Sequence, residues 1–356
     1  MKNQEPKVLF GQRLAQARKM RGLSLRALAD AMTGKVSYNA LHRYEQGVMM
    51  PGDDVLIAVA DALDQPLDFF FRPATAKLQE INFRKTTKVG AKTVAAIREQ
   101  STDFFERYIE IENILGLPGA FKDPLGNLRL HTPADAEAAA EKVRAAWRLG
   151  LDPLPNVLET LESNGLKVFE VDAPESFDGF SGWADGHPIV VLAKWLNKDL
   201  PRKRFSALHE AAHILIHAHI DSRGKETEPY CNRFAGAMLI PQKVFKEDWG
   251  GYRNRISLTE LVDLKRRYGM SIAAIMHRAL DLGLLDPSLY RRFCIMRRKE
   301  RWVVQEPGDY PGMERSSRFD QLVLRAAAEE IVSLSKGAAL LNESIVDFRE
   351  KLSEVA

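Results

Sequence analysis

The stretch RFSALHEAAHILIHAH, residues 204–219, holds four of the chain's eight histidines and constrains the fold more than any other segment. His209 and His213 lie four residues apart, and Glu210 directly follows the first of them. Side chains at positions i and i+4 share one face of an α-helix, so the spacing predicts a helix on which both imidazoles reach one metal ion. Glu210 is then expected beside a water bound to that ion. This pattern is typical of metallopeptidases, in which a glutamate takes the proton of such a water.

A third ligand must come from another part of the chain, because catalytic Zn²⁺ takes three protein ligands and keeps a fourth position open. His217 follows His209 by about 12 Å of rise on a continuous helix, which is too far for both to bind one ion. We therefore expect His217 and His219 to have structural or surface roles. The remaining source is a carboxylate of the following helix, and Glu226 and Glu228 both precede the apolar residues of KETEPYCNRFAGAMLIP. Spacing does not choose between these two.

Three stretches together, SFDGFSGWADGHPIVVL, RFSALHEAAHILIH and ETEPYCNRFAGAMLIP, resemble the ImmA/IrrE metallopeptidase family. The resemblance implies a zincin-like α+β domain with zinc-dependent endopeptidase activity. Matched residue by residue, it implies His209, His213 and Glu228 as Zn²⁺ ligands and Glu210 as the catalytic base.

The chain departs from the family's pattern at the start of the second helix, where Pro229 and Tyr230 stand and Cys231 replaces the usual alanine. Cys231 has two interpretations, a contact with the metal or a small buried hydrophobic residue, and we expect the second. A relic domain that keeps the helix without turnover is the alternative to an active peptidase. The residue that stabilises the oxyanion is not assigned, and the candidates are Tyr230, His187 and Tyr252.

Residues 8–73 break into four or five short amphipathic segments separated by turn signals. Ser24 and Ser37 each precede such a segment and are predicted helix N-caps. Residues 1–48 hold nine Lys or Arg against three acids, which makes this part of the chain a candidate surface for a polyanion. The third segment, SYNALHRYEQG, is predicted to turn its polar side outward, and its candidate DNA-binding residues are Ser37, Tyr38, Asn39, His42 and Arg43.

The residues LSLRALADAM, VSYNALHRYEQGVMMP and VLIAVADALDQPLDFFF resemble the Xre family of Cro/C1-type helix-turn-helix repressors. The resemblance implies an all-α domain whose recognition helix enters the major groove of a double-stranded DNA operator, and a homodimer on two half-sites. Two departures are Leu25, where glutamine is common, and the residues TGK, which lengthen the turn before the recognition helix. A helical protein–protein module is the alternative interpretation.

The fold class is predicted as multidomain, with an all-α helix-turn-helix N-terminal domain, an α+β zincin-like metallopeptidase domain and an α-helical C-terminal region. The expected limits are 1–73 for the helix-turn-helix domain, 74–131 for a helical linker or dimerisation segment, 132–250 for the metallopeptidase domain and 251–356 for the helical region, which contains a second helix-turn-helix-like segment. The linker has an apolar seam that either packs on the next domain or pairs two chains. The seam consists of Phe104, Tyr108, Ile111 and Leu115.

Within the metallopeptidase region the pattern predicts helices at 134–149 and 154–164, a strand LKVFEV, and a hairpin that turns at Asp185 and Gly186. An edge strand of such a small sheet is able to receive an extended peptide. Basic and bulky residues alternate over residues 290–302, where a packed amphipathic helix is expected rather than a second DNA contact. The last helices of the chain are expected to pack on the metallopeptidase domain.

A net charge of +3, two cysteines and no long apolar run predict a soluble, cytoplasmic protein that does not enter a membrane. The two resemblances together imply a DNA-binding transcription regulator with a zinc endopeptidase domain. The expected substrate is an Xre-type repressor, either a partner or the chain itself, cleaved to relieve repression in a stress response or a phage or mobile-element response. The alternative is a non-catalytic repressor whose peptidase-like domain senses a small ligand or a metal.

Overall fold

The computed structural model describes residues 5–73, 78–79, 89–117, 121–221 and 227–353. Helices dominate these residues, and one four-stranded sheet lies in the middle of the chain. The architecture is multidomain, as predicted, with a helical N-terminal domain, a central α+β domain and C-terminal helices. No helix of the described residues is both long and apolar enough to span a membrane.

The N-terminal domain is a helical bundle closed by a 3-10 turn at Leu67–Phe71. Ser24 Oγ accepts a hydrogen bond from Ala27 N, and Ser37 Oγ accepts one from Ala40 N, so both predicted N-caps are confirmed. The helices are α1 (Pro6–Met20), α2 (Leu25–Ala31), α3 (Tyr38–Glu45) and α4 (Asp53–Leu63), and they are followed by a short strand β1 (Leu78–Gln79) and a long helix α5 (Ala91–Ile114).

The lengthened turn between α2 and α3 uses two residues with positive φ. Thr33 has a φ of 52° and Gly34 a φ of 76°. Glycine adopts this region freely, whereas a β-branched threonine is strained there. Val36 is buried at the end of the turn, so the longer connection still anchors the start of α3 in the domain core.

The apolar seam on α5 packs within the chain. The Phe104 ring stacks on Phe169 with 4.2 Å between centroids and meets Phe319 at 5.0 Å. Tyr108 and Ile111 are buried beside it. Of the two alternatives for this seam, the structure therefore has intramolecular packing.

The central domain packs helices against a mixed sheet. Its further elements are α6 (Ala136–Ala146), α7 (Val157–Ser163), β2 (Lys167–Val171), β3 (Gly179–Ala184), β4 (His187–Ala193), α8 (Leu200–Leu215), α9 (Glu228–Leu239) and α10 (Gln242–Trp249). The strand order is β1-β3-β4-β2, with β2 parallel to β4 and the other pairs antiparallel. Asp185 and Gly186, with φ of 47° and 78°, make the predicted hairpin turn between β3 and β4. Helix α8 lies across both of these strands and against α9.

The apolar core of the central domain continues past residue 250 and reaches Phe293. Three helices supply this continuation, and an extended segment then leads to three further helices. The elements are α11 (Leu258–Tyr268), α12 (Ile272–Asp281), α13 (Pro287–Lys299), α14 (Arg318–Ala328), α15 (Leu334–Leu341) and α16 (Ile345–Ser353).

The last three helices form a shared apolar cluster with α5, which corrects the prediction that they pack on the metallopeptidase domain. The Phe319 ring of α14 lies 5.2 Å from the ring of Tyr108. Arg107 of α5 also donates a hydrogen bond to Leu340 O of α15. The C-terminal end of the chain and the segment after the N-terminal domain thus form one helical unit.

Candidate functional site

Three side chains from two helices converge beside the sheet. His209 and His213 lie on α8, and Glu228 is the first residue of α9. The Nε2 atom of His209 is 3.3 Å from one carboxylate oxygen of Glu228, and the Nε2 atom of His213 is 3.6 Å from the other. One potential ligand atom of each residue lies within 4.8 Å of those of the others. The imidazoles are buried while the Glu228 side chain is 31% exposed, so the cluster opens to solvent on the glutamate side.

The outer nitrogens of the two imidazoles have their own neighbours on α9. The Nδ1–H of His209 donates to Asn232 Oδ1 at 2.9 Å, which leaves the lone pair of Nε2 facing Glu228. The Nδ1 atom of His213 lies 3.5 Å from Cys231 Sγ. Cys231 is buried, as expected, and it borders the outer side of an imidazole rather than the Nε2 side. Asn232 belongs to the motif quoted from the sequence, but its contact with His209 was not predicted.

Glu210 is positioned by the sheet. Ser181 Oγ, on β3, donates to Glu210 Oε2 at 3.1 Å, and both side chains are buried. In the β3–β4 register Ser181 lies opposite Val190, and α8 packs on this part of the sheet. The alternation of a strand puts Ser181 on one face with Gly179, but this period does not indicate which residue contacts that face.

The remaining histidines of the stretch do not join the three-residue cluster found among the described residues. Helix α8 ends at Leu215, so His217 and His219 lie in a separate 3-10 turn rather than on a continued helix. His217 is exposed. The Nδ1–H of His219 donates to Leu128 O at 3.0 Å, which ties this turn to the segment before α6. Glu226, the second carboxylate candidate, lies outside the described residues.

Two of the three residues considered for stabilising the oxyanion donate their hydroxyl hydrogens to other groups of the protein. Tyr230 OH donates to His131 O at 3.0 Å, and Tyr252 OH donates to Asp286 at 3.2 Å. His187, the third candidate, is the first residue of β4 and pairs across the hairpin with Ala184.

Helix α9, which carries Glu228, is fixed by buried charges. Glu137 on α6 accepts hydrogen bonds from Arg233 on α9 at 2.8 Å and from both terminal nitrogens of Arg278 on α12 at 2.9 and 3.0 Å. Arg144 donates to Met238 O at the end of α9 at 2.5 Å, and burial lowers the pKa of Arg144 to about 10. These bonds connect α9 to both neighbouring helices, so they hold Glu228 against α8.

Helix α8 is fixed by a carboxylate from the segment before α14. Glu314 binds the fully buried guanidinium of Arg204. It also accepts hydrogen bonds from Val157 N at 2.8 Å and Leu158 N at 3.3 Å, and so caps α7. Burial raises the pKa of Glu314, while the charge of Arg204 opposes that rise. Arg204 lies just over one turn before His209, so the bond sets the position of the N-terminal half of α8.

The five candidate DNA-binding residues are all exposed. Ser37 is the N-cap of α3, so its hydroxyl supports the helix as well as facing outward. The Tyr38 and His42 rings stack one turn apart, with 6.3 Å between centroids, and the guanidinium of Arg26 lies 5.9 Å from the Tyr38 ring. Arg26 is exposed beside the helix and was not among the predicted contacts.

Two of the basic residues counted toward the polyanion surface are engaged inside the protein. Arg13 is buried and its guanidinium binds Glu106 of α5 at 2.6 Å. Arg18 makes two hydrogen bonds to Glu45 at 2.6 and 2.9 Å. The basic surface of the domain is therefore smaller than its composition predicts.

Two protein-family models match the chain. One, described as helix-turn-helix, matches residues 14–70, and the other, described as IrrE N-terminal-like domain, matches residues 161–280. No curated protein and no solved structure matches the chain. The first match covers the bundle that presents α3, and the second covers β2 to α12, including the cluster of His209, His213 and Glu228. The chain thus joins an Xre-like helix-turn-helix domain to a domain of the IrrE/ImmA-like metallopeptidase type.

Proposed function

We propose that the chain is a DNA-binding transcription regulator whose central domain is a zinc-dependent endopeptidase. Its substrate is an Xre-type repressor, a partner protein or the chain itself, and the cut relieves repression in a stress response or a phage or mobile-element response. The observation that carries the proposal is the convergence of His209, His213 and Glu228, with one potential ligand atom of each within 4.8 Å of the others. Glu210, the residue after His209, is buried and accepts a hydrogen bond from Ser181. The match to the IrrE N-terminal-like domain over the same residues supports it.

The donor set fits zinc. Two neutral imidazoles and one carboxylate are a known ligand set of catalytic Zn²⁺, which keeps a fourth position for water or substrate. Asn232 accepts the Nδ1–H of His209, and such a partner fixes the tautomer and the orientation of a metal-binding imidazole. Zinc held there would lower the pKa of a bound water and polarise a peptide carbonyl.

The chain's own residues provide the rest of the reaction. Glu210 accepts the proton of the attacking water and delivers it to the leaving nitrogen of the cleaved peptide bond. The hydrogen bond from Ser181 holds one carboxylate oxygen of Glu210 in place for this role. The open side of Glu228 gives a substrate its approach.

The DNA-binding part of the proposal concerns α3. Tyr38, Asn39, His42 and Arg43 face base edges or phosphates of the major groove, and Ser37 fixes the helix start near a phosphate. Two copies of the chain bind two half-sites of an operator as a homodimer. Because the α5 seam is filled within one chain, the dimer interface lies elsewhere.

The test is the substitution Glu210→Gln, which spares all three proposed ligands. We expect stoichiometric zinc in both wild type and variant by elemental analysis, with cleavage of the repressor and release of a transcription reporter lost only in the variant. Mass spectrometry of the repressor identifies the cut. Glu175→Gln, at an exposed position of the same domain, is the control and should behave as wild type.

Two outcomes overturn the proposal. The first is that the wild-type protein binds no stoichiometric zinc at neutral pH, because zinc-dependent hydrolysis then has no metal. The second is that Glu210→Gln binds as much zinc as the wild type and still releases the reporter. The domain would then be a sensor for a metal or small ligand in a non-catalytic repressor.

A further inference from the structure

A groove of about 800 Å³ runs beside the proposed metal centre, on its α9 side. Its walls are α12, α13, the N-terminal part of α8, α9 and the segment 302–310. Asn232 lines the groove and also accepts the hydrogen bond of His209. At Asn232 a single side chain therefore separates the groove from His209, a member of the three-residue cluster.

The groove is long enough for an extended peptide. Helix α12 lines it from Ser271 to Asp281, which corresponds to about 15 Å of helix rise. An extended chain advances about 3.3 Å per residue, so this length accommodates four or five residues. Aromatic side chains stand along the walls for contact with apolar side chains, and they are Phe205, Tyr290, Trp302 and Tyr310.

The charges of the lining leave one arginine without a counterion. Arg233 and Arg278 share the single carboxylate of Glu137. Arg297 has no ion pair with any described residue, and its Nε is buried without a hydrogen-bond partner among them. A guanidinium held in this way is costly unless an anion joins it, and its planar fork suits a carboxylate.

The acids of the lining are mostly engaged with other groups. Glu306 accepts hydrogen bonds from Ile272 N and Ala273 N and so caps α12. Asp281 faces the His277 ring, and Asp199 caps α8. Asp199 and Asp309 are the exposed acidic side chains of the lining, and neither has an ion pair with a described residue.

We propose that this groove binds an extended segment of the protein substrate and selects an acidic side chain at the position that faces Arg297. The carboxylate pairs with the Arg297 guanidinium, and neighbouring apolar side chains pack on Tyr290 and Trp302. A free small anion would satisfy Arg297 as well, but it would leave most of the groove's length and its aromatic walls unused. The inference rests on the proposed function, because it assigns a substrate preference to the peptidase-like domain.

The test measures binding rather than cleavage. The probes are two fluorescein-labelled octapeptides, one with four glutamates among two leucines and two serines, and one with glutamine in place of each glutamate. Fluorescence anisotropy is recorded with the full-length Glu210→Gln protein, so hydrolysis does not interfere. We expect the glutamate peptide to bind at least fivefold more tightly than the glutamine peptide.

Arg297→Gln should abolish that preference, whereas Arg298→Gln should keep it. Arg298 is the neighbouring residue, is exposed and does not line the groove. Comparing the two variants therefore distinguishes binding at Arg297 from attraction to the positive surface in general. Thermal unfolding checks that Arg297→Gln is folded. Should it not fold, Arg297→Lys, which keeps the charge but lacks the planar fork, replaces it, and a partial loss of the preference is expected.

Three results overturn the inference. They are equal binding of both peptides to the Glu210→Gln protein, equal losses in Arg297→Gln and Arg298→Gln, and binding of citrate alone as tightly as the peptide, which would make the groove a small-anion site. Failure of the proposed function is recognised separately by zinc content and repressor cleavage, neither of which enters the anisotropy measurement.

Discussion

Asn232 shows how much of the proposed centre depends on a residue that touches no ligand position. Its carbonyl oxygen accepts the hydrogen bond from His209 Nδ1 at 2.9 Å. The Cys231 thiol takes the corresponding place near His213 at 3.5 Å, and a thiol is a weak hydrogen-bonding group. Of these two contacts, the one between Asn232 and His209 is therefore the stronger.

Asn232→Ala should weaken zinc binding by about 10- to 100-fold, the usual effect of removing the outer partner of a metal-binding histidine. Competition with a chromogenic chelator measures the zinc Kd. Cys231→Ala, which removes the weaker contact and restores the small residue common in the resembled family, is the matched variant and should change the Kd by less than threefold. Unchanged affinity in Asn232→Ala would contradict this role.

At the same scale, the sequence predicted part of the site and missed the rest for definable reasons. The i, i+4 spacing of His209 and His213 determines a shared face before any fold is known. Glu228 could be chosen over Glu226 only through the resemblance, because both precede the same helix. Ser181 contacts Glu210 across 29 positions of sequence, and a pairing of that separation has no local signal.

Among the elements, the extended segment before α14 contacts two helices of the central domain, α7 and α8. Through Glu314 it caps α7 and binds Arg204, and both the Glu314 and the Arg204 side chains are fully buried. Removing one partner of a buried ion pair leaves the other charge desolvated and unpaired. The position of α8 thus depends on a residue more than 100 positions away in the chain.

Glu314→Gln should lower the free energy of unfolding by about 3–5 kcal/mol, the usual cost of breaking a buried pair. Urea denaturation followed by circular dichroism measures it. Glu329→Gln breaks an exposed pair with Arg325 and should cost less than about 0.5 kcal/mol. Similar midpoints for the two variants would show that the buried bond does not stabilise the fold.

Element types were predicted better than element limits. The predicted helices 134–149 and 154–164 are observed as Ala136–Ala146 and Val157–Ser163. Arg148 and Gly150 adopt positive φ, and this turn ends the first helix earlier than its apolar spacing indicates. The hairpin prediction was confirmed, because Asp185 and Gly186 form a local turn signal. The packing partner of the last helices was predicted wrongly, because an apolar helix face does not indicate which other surface packs against it.

At the scale of the whole molecule, α5 connects the helix-turn-helix domain to the rest of the chain. One side of α5 binds the N-terminal domain: Glu106 pairs with the buried Arg13, and Gln100 donates to Met20 O at 2.8 Å. The other side contacts the sheet and α14 through Phe104. The DNA-binding surface and the proposed peptidase centre are therefore joined by packed contacts rather than by a free tether.

Glu106→Gln should make the N-terminal domain unfold independently of the rest of the chain. The change leaves Arg13 buried without a charged partner, so we expect a loss of about 3 kcal/mol and an earlier, separate unfolding transition of that domain in differential scanning calorimetry. Glu110→Gln, on the same helix with a half-exposed pair to Lys336, should leave the wild-type profile. An unaltered profile in Glu106→Gln would mean that the two parts are coupled by other contacts.

The shared use of α5 limits how far this protein can be treated as a set of interchangeable modules. A DNA-binding fragment that stops at Pro73 would contain Arg13 and Arg72 but lack Glu106 and Asp103, the carboxylates with which they form ion pairs. A fragment that extends through α5 would instead expose the aromatic side that packs on Phe169 and Phe319. Both fragments therefore lose contacts that bury charged or aromatic side chains. Transferring the helix-turn-helix domain to another protein requires redesign of one face of α5.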